Sequence, residues 1–152
     1  MVAACGSGSG SPNSRGGVGD DFGGRAVAVC RDALADKRAE GAFPFPDFNP
    51  TQPDMTKFPQ VARFLEKTAA TFTVWDRKMK ALGEPRHGQR AWHNLLAAIE
   101  THVRLTRDQI SAARTGDAAR FADDYQKGAQ TQDKLLEAAT AAGVKACADV
   151  DR

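Results

Sequence analysis

Histidine and glutamate are the residue types whose spacing first suggests chemistry in this chain. His93 and Glu100 stand seven residues apart, so ~700° of helical rotation returns them to nearly one face, the geometry from which a metal site inside a helix bundle is assembled. His102, nine residues from His93, falls on the opposite side. A di-iron centre of the bundle type needs two Glu-x-x-His pairs and further glutamates, a set this chain lacks. Glu100, Arg104 and Asp108 instead make an i,i+4 ladder suited to a solvated face. No metal or other cofactor is therefore expected. Acyl transfer is equally short of parts: there is no G-x-S-x-G elbow, no glycine-rich phosphate loop between strand and helix, and Ser111 is the one serine outside the N-terminal stretch. The expectation is a protein without catalysis.

The three cysteines divide into one and two. Val2-Ala3-Ala4-Cys5 resembles the lipobox of bacterial lipoproteins, in which the cysteine is lipidated and becomes the mature N-terminus. The following Gly6-Ser7-Gly8-Ser9-Gly10-Ser11-Pro12-Asn13-Ser14 has nothing to bury and reads as a coil suited to tethering a folded domain to a lipid. A lipobox works behind a charged segment and an apolar stretch of ~7–15 residues. The expectation is a start further upstream, or a chain trimmed to the cleavage site. Cys30 and Cys147 lie in segments that read as folded. In a reducing compartment they would be buried thiols. In an exported protein they are expected to pair, closing a loop of about 117 residues. No C-x-x-C knuckle points to zinc, and no stretch of ~18 apolar residues points to a membrane span.

Two further features draw attention. Arg77, Lys78, Lys80, Arg86, His87 and Arg90 crowd one helix junction, with Asp76 and Glu84 as the nearby acids. Cations complement a helix C-terminus. Beside a lipid tether they would also attract anionic headgroups, so Arg77, Lys78, Lys80, Arg86 and Arg90 form a candidate membrane-facing cluster. Phe43-Pro44-Phe45-Pro46-Asp47-Phe48-Asn49-Pro50 can be neither helix nor central strand and reads as an extended strap. At ~3.1 Å per residue the stretch from Phe43 to Phe58 would reach ~50 Å, long enough to run along a bundle. A strap packed on the core is expected over a lid on a ligand.

These residues must be positioned by helices. Eight of 14 glycines fall between Gly6 and Gly24, so residues 1–23 read as tail and 24–152 as the folded domain. Val27, Cys30, Ala33 and Leu34 give a first helix ending near Gly41. Val61, Phe64, Leu65, Thr68, Phe72, Trp75, Met79 and Leu82 give a second, opening near Thr56 with Pro59 in its first turn. Trp92, Leu95, Leu96, Ile99, Val103, Thr106, Ile110 and Ala113 give a third. Asp117 caps a fourth that uses Phe121, Tyr125, Gln132, Leu135, Leu136 and Ala139. No run alternates with period two. Short turns make neighbours antiparallel, and a Cys30–Cys147 bond would do the same for the first and last helices. The fold class expected is all-α, an up-down-up-down four-helix bundle with a Pro/Phe-rich linker between helices one and two and a disordered N-terminal tail.

With 152 residues the chain has room for one domain, and 21 Lys plus Arg against 19 Asp plus Glu leave no field for gripping nucleic acid. From about Arg25 to Val150 the chain resembles small actinobacterial exported proteins and lipoproteins of unknown function. The residues carrying the likeness are Phe43-Pro44-Phe45-Pro46, Phe58-Pro59-x-Val61-Ala62, Trp92-His93-Asn94-Leu95-Leu96, Ala112-Ala113-Arg114-Thr115-Gly116-Asp117 and Ala141-Ala142-Gly143-Val144-x-x-Cys147. The resemblance implies location and fold, and it assigns no site. The reading is a lipid-anchored binding or interaction module outside the bacterial cytoplasmic membrane, with a protein or small molecule as partner. A rival reading is a carrier or sensor of a small apolar ligand or haem, held among Phe72, Trp75, Trp92 and His93.

Overall fold

Thr115-Gly116-Asp117 shows how local chemistry breaks the chain into helices. Gly116 adopts φ 70°, a left-handed conformation that closes its N–H onto the carbonyls of Ala112 and Ala113. One residue later, the Asp117 carboxylate accepts the Arg120 backbone N–H at 3.0 Å and starts the next helix. A computed structural model describes residues 20–150. The helices are α1 (Asp20–Ala39), α2 (Phe58–Ala81), α3 (Gln89–Thr115) and α4 (Ala118–Ala141), with 3-10 turns at Met55–Lys57 and Lys145–Asp149. Among the described residues there is no strand, and no helix is long and apolar enough to cross a membrane.

The helices run up, down, up and down. α3 packs along both α2 and α4, while α1 lies on α2. The C-terminal 3-10 turn meets both α1 and α4 and is the principal link between them. Most of the core lies at the end where α1 begins: Trp75, Met79, Trp92, Leu95, Ile99 and Leu135 are buried there with the disulfide. A second cluster of Phe58, Val61, Ala62, Ala112, Ala113 and Phe121 closes the opposite end.

Several expectations change in detail. α1 starts at Asp20, before the Gly24 anticipated, because Phe22 is buried and meets the Trp92 ring edge-on with centroids 4.8 Å apart. That contact carries Gly23 and Gly24 into the helix despite their poor propensity. Residues 1–19 lie outside the described residues. Cys30 and Cys147 are bonded, but Cys30 sits midway along α1 and Cys147 in the 3-10 turn beyond α4. The buried sulfur of Cys30 accepts the Trp75 indole N–H at 3.4 Å and touches the Met79 sulfur at 3.7 Å.

The Phe/Pro segment does not run the length of the bundle. It folds over one end through reverse turns, Phe48 N–H to Phe45 O and Gln52 N–H to Asn49 O. Phe43 packs on Phe64, and Phe48 on Phe121. Six neighbouring aromatic rings, Phe43, Phe45, Phe48, Phe58, Phe64 and Phe121, gain more by clustering than by lying extended on helix surfaces. In α4 the buried face is Phe121, Asp124, Thr131, Leu135 and Ala139, so the helix is rotated from the stripe expected, and Tyr125 and Gln132 are exposed.

Candidate functional site

The C-terminal 3-10 turn packs against both α1 and α4, with Val150 after it buried in the core and Asp149 exposed. That residue shares a shallow hollow with Leu34, Lys37, Arg38 and Gly41. Past it, a cleft of about 210 Å³ opens between α2, α3 and α4, with Lys37 of α1 on its margin. Phe64, Leu65 and Phe72 supply the α2 wall, and His102, Leu105 and Thr106 the α3 wall. Tyr125, Gly128, Ala129 and Gln132 face it from α4, and Tyr125 is 43% exposed.

A polar knot holds the α1 margin in place. The Glu40 carboxylate, nearly buried, accepts the Thr68 hydroxyl at 2.8 Å, the Thr71 hydroxyl at 2.5 Å and the Lys37 ammonium at 3.2 Å. Lys37 also donates to the Thr68 oxygen at 3.4 Å and stands 5.2 Å from the centre of the Phe64 ring. An ammonium has three N–H donors. Two are engaged in the knot, and the third is the strong donor the margin can offer a ligand.

Gly128 is the informative residue on the opposite wall. It lies inside α4, where glycine costs ~0.5–1 kcal/mol relative to alanine. Its backbone is not left-handed, and an added Cβ would meet only the Gln109 side-chain nitrogen, at an ordinary 3.5 Å. Packing does not demand glycine there. Its effect is to keep that wall of the cleft low.

His102 packs its ring against Phe72 with centroids 4.7 Å apart and is buried. The sequence carried this signal: His102 is three residues after Ile99 and four before Thr106, on the buried stripe of α3. Below the cleft, burial pushes the Asp124 carboxyl above the usual carboxylate range, and the neighbouring charge of Asp108 pushes it the same way. Arg120 stands 3.6 Å from both Asp108 and Asp124 and opposes that shift.

The other candidate residues separate. Trp75 and Trp92 are packed in the core, Phe72 reaches the cleft, and His93 is exposed and paired with Glu84 at 2.9 Å. These four do not surround one pocket. His93 and Trp92 are adjacent along α3, so burying one turns the other outward. Glu100 leaves the anticipated ladder and reaches Lys80 at 3.3 Å, while Arg104 and Asp108 keep theirs at 3.4 Å. Lys80 is also held by Asp76 at 2.9 Å, and that hydrogen bond raises its pKa above the ordinary lysine value. Arg77, Lys78, Arg86 and Arg90 are exposed at the α2–α3 junction. Cys5 lies outside the described residues. Among the described residues, no three His, Cys, Asp or Glu side chains are grouped to hold a metal ion.

Fold and site define a class: an all-α four-helix bundle, tied by a buried disulfide and open along one side. Compared with known proteins, the chain matches no family model, no curated protein and no solved structure.

Proposed function

We propose that the chain is a non-catalytic binding module, held by a lipid on Cys5 at the outer face of a bacterial cytoplasmic membrane, that takes a small and mainly apolar group into the α2–α3–α4 cleft. Kinship with small actinobacterial lipoproteins belongs to the same proposal. The observation that carries the binding role is Gly128, a helix-weakening residue whose missing side chain leaves room in an aromatic-walled cleft rather than relieving a clash. The size sets the ligand: ~150 Å³ holds a benzene ring, and sites for drug-sized molecules begin near ~300 Å³. At about 210 Å³ the cleft takes one substituted ring or a short branched chain, and a haem is too large for it. The buried disulfide supports an oxidising compartment, where such bonds persist.

The test has two arms. Intact mass spectrometry of the protein expressed from its native locus, upstream DNA included, should find a diacylglyceryl adduct on Cys5 and an oxidised cysteine pair. Soluble protein with an unmodified Cys5 would overturn the anchor. Phenol titrated into the labelled protein should shift the amide resonances of Gly128 and Gln109, and Gly128→Leu should abolish the shifts. No movement in the parent protein would overturn the cleft.

A further inference from the structure

We infer that the end of the bundle carrying the α2–α3 junction rests on anionic lipid headgroups, so that the cleft is held sideways above the membrane. The inference rests on the anchored reading, and its first support is where the chain emerges. Phe22 packs on Trp92, and the Trp92 indole donates to the Gly83 carbonyl at 3.0 Å. The start of α1, to which the Cys5 segment connects, is therefore beside the junction. Fifteen residue steps from Cys5 to Asp20 span at most ~50 Å, while α3 is ~40 Å long. Such a tether allows either end of the bundle to meet the bilayer, so surface charge decides between them.

The charges differ between the two ends. At the far end Lys37 pairs with Glu40, Lys57 with Asp54, Arg114 with Glu66 and Arg120 with Asp108, and the exposed cations without an ion pair among the described residues, Arg38 on α1 and Arg63 and Lys67 on α2, are spread over two helices, whereas the junction gathers its own within residues 77–90. At the junction Asp76 and Glu100 are engaged by Lys80 and Glu84 by His93, which leaves Asp21 at the start of α1 as the exposed acid without an ion pair there among the described residues. Arg77, Lys78, Arg86 and Arg90 are exposed and have no ion pair among the described residues. Helix dipoles explain only part of this set. Lys78 sits favourably in the last turn of α2. Arg86 and Arg90 flank the start of α3, the positive end of a helix that has no acid in its first turn and no side-chain cap. Folding gains nothing from cations there, whereas a phosphate-bearing surface does. With that end down, Phe72 and Phe64 lie ten and eighteen residues from Leu82, so the cleft stands ~15–27 Å from the junction and samples the aqueous side.

The test is co-sedimentation of the full unlipidated chain with vesicles of equal parts phosphatidylglycerol and phosphatidylcholine, and with pure phosphatidylcholine. Binding is expected to the first only, to weaken with salt, and to fall ~100-fold in Arg77→Glu/Lys78→Glu/Arg86→Glu, at ~5-fold or more per cation lost. Arg38→Glu/Arg63→Glu/Lys67→Glu makes the same change in net charge on exposed residues away from the junction, and it should retain binding within ~5-fold. Circular dichroism confirms that each variant is folded before binding is scored. Equal losses in both variants, equal binding to both vesicles, or no binding by the parent would overturn the inference. Since the assay uses no lipid on Cys5, its outcome is separate from whether that residue is modified.

Discussion

Replacing the disulfide by Cys30→Ala/Cys147→Ala should cost as much as the largest single core truncations, and the loss should appear first in α1. The bond closes a loop of 117 residues, and the chain-entropy relation gives ~16 cal/mol/K, or ~4.9 kcal/mol at 25 °C. Domains of this kind have ~5–15 kcal/mol in total, so a third or more of the stability is at stake. α1 depends on the bond because its fully buried face is slight, Phe22, Ala26, Cys30 and Ala33, one large side chain and three small ones, while Val27, Val29 and Leu34 are only partly covered. At ~2–3 kcal/mol for the ring and ~0.8 kcal/mol per methyl or equivalent group, that face supplies only ~4–5 kcal/mol. Urea unfolding followed by circular dichroism should show a loss of ~4–5 kcal/mol with a steeper denaturant slope, since the uncrosslinked chain exposes more surface. Hydrogen exchange should show α1 amides losing protection while those of α3 keep most of theirs. A loss below ~1 kcal/mol, or α1 protection equal to that of α3, would refute the reasoning.

Three other outcomes are expected. Phe121→Ala removes a buried ring that joins Phe58 at 5.2 Å and Phe48 at 5.8 Å, so it should cost ~3–5 kcal/mol in urea and speed hydrogen exchange through residues 43–52. Gly128→Ala should raise stability by ~0.5–1 kcal/mol, seen as a higher Tm, while weakening phenol binding in the cleft. Asp124→Asn should stabilise the protein at neutral pH. Because burial raises the Asp124 pKa in the folded state, the folded protein holds that proton more tightly than the unfolded chain, so ionising it costs stability as pH rises. The advantage of Asn should therefore shrink as pH falls through that raised pKa and vanish below the unfolded value near ~3.9, as parallel urea titrations would show.

Much of the architecture was legible because its signals are local. Val61, Phe72, Trp75 and Met79 in α2, and Trp92, Leu95, Ile99 and Val103 in α3, recur at helical spacing and are buried. Pro59, Gly116 and Asp117 act through their own backbone and side-chain chemistry, which no distant contact has to supply. α4 was harder. Tyr125 and Gln132 look like core beside Phe121 and Leu135, but α4 is turned so that its other edge enters the core and they face the cleft.

What the sequence determined by itself is four helices, their boundaries within a few residues and a pair of cysteines far apart in the chain. The tertiary structure decided the start of α1, because a contact between Phe22 and Trp92 outweighs two glycines. It decided that Trp75 and Trp92 fill the core while His93 turns outward, and that the Phe/Pro rings gather over one end. It also created the cleft, which belongs to no single motif: Lys37, Phe72, His102 and Gly128 come from four helices. Periodicity reports which side of each helix is apolar, but a space between helices depends on how each is rotated against its neighbours, and that follows only from packing them together.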